Sequence, residues 1–411
     1  MHLSSRLVRC RYQRRGCSSR RANSAAATTH LALTRAGKFG SGAGSVSLAP
    51  TYNPGDLDAY FSRRSSMVAA RVASLALAAC KCLALLTTAR VRKRNEEAFT
   101  KIKDLVESLG PTFLKLAQTL STRSDLIGSE LANELSTLQD NAKIFDSETA
   151  FAIVRDDLGV ASLDEVFEHV AEVPVAAASF GQVYRCRLKD GREVAVKVQR
   201  PNVLENVALD VFILRSVLHW VKQLANMSRD LRLIADEIGS GLFSELDYVA
   251  EAKNMMKFRE AHKDLTYVAV PCPMTSLSSD RVLTMEWLEG SSVSSLFDDL
   301  QTHPSSIEQS PREKLGKAVD MGLSCSLNQL LRSGVMHADP HPGNLLVTDD
   351  GRLGYLDFGL LTRVDPTHKL GMLSSILHTS SGDWVRFVED MDALDLLKPS
   401  ADRDELAKDL H

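Results

Sequence analysis

The stretch His337-Ala338-Asp339-Pro340-His341-Pro342-Gly343-Asn344, with Asp357-Phe358-Gly359 beginning thirteen positions after Asn344, decides how this chain is read. Transfer of a phosphoryl group needs a carboxylate that accepts the proton of the attacking hydroxyl, and oxygen ligands that hold Mg²⁺ against the phosphates. Asp339 suits the first role, Asn344 and Asp357 the second. The apolar residues at 345–347 and 353–356 predict a hairpin that carries Asp357 at its far end. One short motif of this kind is weak, whereas three in this order and at these separations are not easily produced by chance.

With 411 residues, 44% of them hydrophobic and 25% charged, the chain has a globular balance and room for one large or two ordinary domains. Its net charge of −3 hides an asymmetry. Residues 1–55 hold nine Arg or Lys and no acid, which leaves 40 basic against 52 acidic side chains, a net −12, in the rest. So acidic a body argues against general nucleic-acid binding. Residues 1–50 are rich in Arg, Ser, Ala, Thr and Gly and lack a secretory apolar run, which predicts an organellar transit peptide; a basic disordered tail is the alternative. Cys10, Cys17, Cys80, Cys82, Cys186, Cys272 and Cys325 make no Cys-x-x-Cys and no Cys/His cluster, against a zinc or disulfide framework. The longest apolar stretch, 67–88, is interrupted by Arg71 and Lys81 and reads as too short to span a bilayer. Basic flanks at 63–64 and 90–94 make residues 51–94 a basic amphipathic linker, lying on an anionic membrane surface or packed on the body.

Residues 95–109 predict a helix ended by Gly110-Pro111, after which Thr112 caps a second one. In that second helix Phe113, Leu116, Ala117 and Leu120 form one apolar stripe, and Lys115 and Gln118 share the opposite face, which pattern alone reads as solvated. A third helix covers 128–138. From residue 173 strand signals begin: 183–188 and 194–198, joined by Lys189-Asp190-Gly191-Arg192 as a hairpin turn. Helical periodicity returns over 204–224 and 231–259, a strand follows at 281–285, and a long helix over 312–333 runs into the opening motif. Residues 301–311 read as a loop.

Val196 and Val198 flank Lys197 on an alternating strand, so Lys197 points to the other face. A buried ammonium needs a partner, and nucleotide phosphates plus a helix carboxylate supply one in the Val-Ala-Ile-Lys strand of protein kinases, here Val194-Ala195-Val196-Lys197. The preceding turn, Ala176-Ala177-Ala178-Ser179-Phe180-Gly181-Gln182-Val183, aligns with the kinase phosphate loop Gly-x-Gly-x-x-Gly-x-Val. Two of its three glycines are alanine, whose methyls stiffen the loop. Ala176, Ala177, Ala178, Ser179, Gly181 and Val183, with Lys197 and with Glu286 after the 281–285 strand, are the candidate nucleotide-binding positions. The 231–259 helix carries Glu245, Asp247 and Glu251. Asp247 and Glu251 are one turn apart there, and Glu245 diverges from Asp247 by about 160°. Either Glu251 or Glu245 could pair with Lys197.

These residues resemble the UbiB family of atypical kinases, also called aarF-domain kinases, from about Tyr52 to Leu397. The resemblance rests on Leu109-Gly110-Pro111-Thr112-Phe113-Leu114-Lys115-Leu116-Ala117-Gln118, on 174–184 with the alanine-rich loop, on 194–201, on Glu245-Leu246-Asp247-Tyr248 and on the His337 to Asn344 run. It implies an α+β, bilobed protein-kinase-like fold: a helical extension at 95–172, an N-lobe at 173–290 and a C-lobe at 291–411. It also implies that Lys115 and Gln118 fold over the site where a peptide would dock, that Glu245 and Asp247 face that helix in a regulatory role, and that Glu251 pairs with Lys197. Ala117 stands where the family has glycine, Ala338 replaces the arginine of His-Arg-Asp, and no Ala-Pro-Glu follows Asp357. The chain ends 52 residues after Gly359, which implies a truncated C-lobe.

The activity implied is that of an ATP-binding kinase or ATPase with Mg²⁺, supporting isoprenoid-quinone or other prenyl-lipid metabolism at an organellar membrane. Lys197 would orient the α- and β-phosphates, Asn344 and Asp357 would hold Mg²⁺, and Asp339 would position the nucleophile. A non-catalytic nucleotide-binding lipid chaperone and an ordinary protein kinase are the rival readings. Similarity of 52–64 to plastid and cyanobacterial members favours the chloroplast over the mitochondrion.

Overall fold

The computed structural model describes residues 48–92, 95–121, 124–138, 143–224, 231–302, 309–398 and 401–410. Almost all of the expected transit peptide, Cys10, Cys17 and residues 303–308 of the expected loop lie outside them. Seven helices come first: α1 (Pro54–Phe61), α2 (Ser65–Arg92), α3 (Asn95–Leu109), α4 (Pro111–Ser121), α5 (Ser124–Ile127), α6 (Ser129–Ser136) and α7 (Ser147–Leu158). Strands β1 (Phe167–Val170), β2 (Ala176–Ala177), β3 (Gly181–Leu188) and β4 (Glu193–Gln199) follow, then helices α8 (Val203–Leu224), α9 (Arg232–Ser244) and α10 (Tyr248–Ala261). The remainder holds β5 (Val268–Ala269), β6 (Val282–Glu286), β7 (Gly290–Ser292), α11 (Val293–Thr302), α12 (Gln309–Asn328), β8 (Val335–His337), β9 (Leu345–Thr348), β10 (Leu353–Tyr355), β11 (Leu361–Arg363), α13 (Pro366–Ser381), α14 (Trp384–Ala393) and α15 (Arg403–Asp409). The fold is α+β and two-lobed, with helices ahead of it, as the family resemblance implies.

The first lobe is an antiparallel sheet in the order β1-β3-β4-β6, with β2 paired to β3. Gly191 turns the β3–β4 hairpin at φ +84°, a left-handed conformation that glycine adopts without strain. Two-residue alternation then gives each face its own core. Tyr184, Cys186, Val194, Val196 and Val198 pack with Ala150, Ile153 and Val154 of α7. Ala195, Leu283 and Met285 point the other way and meet Tyr248, Ala252, Met255 and Phe258 of α10. The same cluster continues through Val293, Leu296, Val347, Leu353, Tyr355 and Phe358, so one core runs from the sheet into the second lobe.

The leading helices are anchored to that frame. Leu57 and Phe61 of α1 pack with Val207, Val211 and Phe243 of α8 and α9. Arg71 of α2 donates Nε to Asp210 Oδ1 at 2.7 Å and Nη2 to Asp210 Oδ2 at 2.9 Å. Its Nη2 also donates to the Leu109 carbonyl at 2.7 Å, satisfying a carbonyl that the end of α3 leaves without a helical partner.

Four expectations change. Thr112 does not cap α4: Pro111 is already its first residue and the Leu114 N–H donates to the Gly110 carbonyl, which makes Gly110 the cap position. The 231–259 helix is two helices. It breaks after Ser244, Leu246 is buried, and the Asp247 side chain accepts the Ala250 N–H at 2.8 Å to cap α10. Asp247 is therefore not one helical turn from Glu251 on a shared face. The 312–333 helix begins at Gln309 and finishes in a π-turn, Gln329–Ser333. Finally, Ser65–Thr88 within α2 is long and apolar enough to cross a membrane by length and composition, with mean hydropathy 1.8 over its most apolar window. Arg71 and Lys81 do not break the helix, and Arg71 has a partner in α8.

Candidate active site

Lys197 and Val183 are opposite one another in the β3–β4 ladder and face α10, which starts just below. The Lys197 Nζ lies 2.9 and 3.0 Å from the two oxygens of Glu251 and 3.1 Å from Asp357 Oδ2. Glu251, in the first turn of α10, is the acid that reaches it; Glu245 pairs elsewhere. Burial alone would lower the Lys197 ammonium's pKa, but Asp357 and Glu251 outweigh it and hold the group well above the ordinary lysine value. Burial pushes Glu251 up to about 7 despite Lys197. Asp357, more open at 39% side-chain exposure, is held well below the usual carboxylate range, because Lys197 and the Gly359 N–H at 2.9 Å overcome its desolvation. The two acids thus differ. Glu251 anchors the lysine from inside, and Asp357 keeps a charged, accessible carboxylate.

The second lobe brings its motif to the same place. Phe358 is fully buried and packs with Phe258 of α10 and with His337, at ring separations of 5.3 and 5.5 Å. His337 accepts the Asp339 N–H on Nδ1 at 3.2 Å, and its Nε2 donates to the Asp357 carbonyl. Burial keeps its pKa below the ordinary histidine value, so the neutral ring with its proton on Nε2 fits both contacts. One imidazole therefore ties the Asp339 loop to the Asp357 turn. Asn344 donates Nδ2 to the Asp339 carbonyl at 3.4 Å, and its own carbonyl accepts the Leu356 N–H at 3.0 Å. Asp339, Asn344 and Asp357 are thereby joined into one cluster through His337 and the Asn344 side chain.

The leading helices close over this cluster. Lys115 of α4 pairs with Glu245 at 2.8 Å, and the Glu245 Cα stands within 3.9 Å of where a side chain on Gly359 would begin. Burial raises the Glu245 pKa, with Lys115 opposing. Gln118 donates Nε2 to the Leu138 carbonyl at 2.9 Å and accepts the Ser179 hydroxyl at 3.0 Å. Ala177 packs against Leu114, Ala117, Leu135 and Leu138, so the alanine-rich loop rests on the extension. Ala178 N–H to the Gly181 carbonyl, at 2.8 Å, tightens the loop tip, whereas Ala176 is exposed and pairs with Val183. Gly181 has no room for more: a Cβ there would lie 2.6 Å from both the Tyr248 hydroxyl and the Val198 carbonyl.

Two candidates sit apart. Asp247 spends its carboxylate on the α10 cap. Glu286 turns its side chain to the Cys272 N–H at 3.2 Å and toward Arg259, and its own N–H donates to the Cys272 carbonyl at 3.0 Å. The sequence reading gave no role to Arg71, His337 or Tyr248. Tyr248 carried a signal, lying three residues before Glu251 and so on the same helical face. Arg71 carried none, since its partner is 139 residues away.

A family model described as the ABC1 atypical kinase-like domain matches residues 137–391. An uncharacterized protein of Synechocystis is 39% identical over 74% of this chain and 43% of its own length. An uncharacterized aarF domain-containing protein kinase of Arabidopsis thaliana, named as chloroplastic, is 37% identical over 87% of this chain and 50% of its own. Arabidopsis Activity of bc1 complex kinase 3, also named as chloroplastic, is 37% identical over 76% and 43%. The chain spans about half the length of the curated relatives it matches. Among solved structures, the Mycobacterium tuberculosis protein Rv3197 in complex with erythromycin is similar, with a TM-score of 0.53, 26% identity and 77% of each chain covered.

Proposed function

The chain belongs to the ABC1 atypical kinase-like family, and from that premise we propose that it binds Mg·ATP between its lobes and transfers or hydrolyses the terminal phosphoryl group. The observation that carries this reading is the Lys197–Glu251–Asp357 cluster, a buried ammonium fixed by one acid and shared with a second that stays ionised and open. An ammonium so held is ready to exchange its contact with Asp357 for phosphate oxygens while Glu251 keeps it in place. Asn344 and Asp357 are the groups that would hold Mg²⁺, whose part is to neutralise phosphate charge. Asp357 fits that role because its carboxylate is ionised and accessible. Asp339, held through its backbone by His337, accepts the proton of a hydroxyl or of water.

In this reading Lys115, Gln118 and Glu245 act as regulators, and Asp247 contributes by holding the start of α10 beside them. Lys115 braces the turn at Gly359 through Glu245 and Gln118 braces the loop at Ser179, and in this reading the pair stands where a peptide would dock. That favours slow, guarded turnover on a small or lipid-borne acceptor over open protein phosphorylation. The apolar helix α2, with Leu77 and Leu83 more than half exposed, supports work at a membrane. The chloroplastic names of the plant relatives support a plastid site, and prenyl-lipid or quinone-precursor metabolism is the setting we assign. Phosphate release by the purified chain, with Mg·ATP and with or without prenyl-quinone precursor lipids, tests the proposal. Absence of turnover together with a Mg·ATP-dependent rise in melting temperature would instead favour a nucleotide-binding lipid chaperone.

A further inference from the structure

Tyr248 is 1% exposed, yet its hydroxyl has no hydrogen-bond partner among the described residues. A buried phenol usually finds a partner, and one left without it costs folding free energy that something else must justify. The place where the hydroxyl ends up is informative. Tyr248 opens α10 one turn before Glu251, and the Lys197 ammonium lies 5.0 Å from the centre of its ring. Its oxygen reaches the underside of the alanine-rich loop, where a Cβ on Gly181 would meet it at 2.6 Å. Gly181 is the one glycine that the loop keeps of the three in the kinase pattern, and this hydroxyl occupies the space that its missing side chain leaves.

We propose that the Tyr248 hydroxyl is a hydrogen-bond donor to the polyphosphate of the bound nucleotide, a contact that rests on the nucleotide-binding reading above. The neighbouring acids do not serve as its acceptor. Both oxygens of Glu251 lie against Lys197, and Asp357 is shared between Lys197 and the Gly359 N–H. Lying between the Lys197 ammonium and a phosphate-type loop, the hydroxyl is placed to meet a phosphate oxygen once the loop lifts enough to admit one. Burial raises the phenol's pKa, so the group arrives protonated, as a donor should. A side-chain donor rising from α10 offsets the stiffness of a loop in which alanine has replaced two glycines, because it reaches the phosphates without the loop having to fold down onto them.

Tyr248→Phe in the full chain isolates the hydroxyl, since the ring and its packing stay. Binding of Mg·ATP, Mg·ADP and adenosine is measured by calorimetry, with apo melting as the fold control. The expected result is a loss of about tenfold in affinity for ATP and ADP, the size of one charge-assisted hydrogen bond. Adenosine affinity stays within twofold, and the apo variant melts at or above the wild type because a buried unsatisfied group is gone. ATP and ADP affinities retained within twofold overturn the proposal, as does a parallel loss for adenosine, which would mark a packing role. A second measurement uses inorganic tripolyphosphate, whose protection against thermal unfolding should weaken in the variant; equal protection of both proteins overturns the contact independently. Wild-type protein that binds none of these ligands defeats the nucleotide reading itself, an outcome distinct from a variant that binds as the wild type does.

Discussion

Arg71→Met tests how the leading helices are held. The guanidinium gives two hydrogen bonds to Asp210 at 2.7 and 2.9 Å and a third to the Leu109 carbonyl at 2.7 Å, and it lies 5.7 Å from the centre of the Phe113 ring. Three helices besides its own therefore meet on one side chain: α8, the end of α3 and the start of α4. Asp210 has a side-chain exposure of 3%, so removing the arginine strands a buried carboxylate, a loss of about 3–5 kcal/mol in comparable cases. Arg71 is itself 23% exposed, and water entering along its path moderates the loss, so the lower end, about 3 kcal/mol, is expected. The assay is thermal melting of Arg71→Met, Asp210→Leu and the double variant. The double variant carries no stranded charge and should recover most of the stability lost by Arg71→Met. Hydrogen exchange should rise at the α3–α4 junction, residues 108–114, in Arg71→Met. A single variant that melts with the wild type, or a double variant that melts no higher than Arg71→Met, refutes the reasoning.

Other expectations concern the cleft. Asp339→Asn should lower phosphate release by about 10²–10⁴ while Mg·ATP still raises the melting temperature, because it removes a proton acceptor and no phosphate contact; unchanged release in that variant counts against the assignment. Gly181→Ala should destabilise by about 1–3 kcal/mol, since its methyl must displace Tyr248 or the β4 backbone, and urea titration reads the difference. Lys115→Ala should raise phosphate release by freeing α4. The same variant has a pH signature. The Glu245 pKa is already raised on folding, so its ionisation costs stability as pH climbs from the unfolded value through the folded one, and loss of Lys115 enlarges that cost. Melting curves at pH 5 and pH 8 should therefore diverge more for the variant than for the wild type.

The cleft was legible in the chain where chemistry restricts the residue type. Asp339, Asn344 and Asp357 stand at fixed spacings, and Lys197 lies on a strand whose valines declare the opposite face. What the sequence left open was set by tertiary contact. Spacing alone cannot separate Glu251 from Glu245 while 231–259 reads as one helix. The break between them contains no glycine or proline, only the buried Leu246 and a capping Asp247 that resembles any other acid on a charged face. Thr112 looked like a cap because threonine often is one, but Pro111 had already started the helix. In α2 the charges Arg71 and Lys81 read as interruptions, although a helix accepts an arginine wherever a carboxylate waits beside it, and Asp210 does so from 139 residues further along the chain.

Ala177 and the Leu114–Ala117 pair lie about sixty residues apart in the chain, yet they belong to one apolar contact, reinforced where Ser179 meets Gln118. A loop fastened in this way cannot flap by itself. Each opening wide enough to let a molecule out must also separate α4 from the loop, exposing both faces to water. Under the phosphoryl-transfer reading proposed above, departure of product would be timed by that separation, and a burst of phosphate followed by a slower steady rate is the trace it would leave.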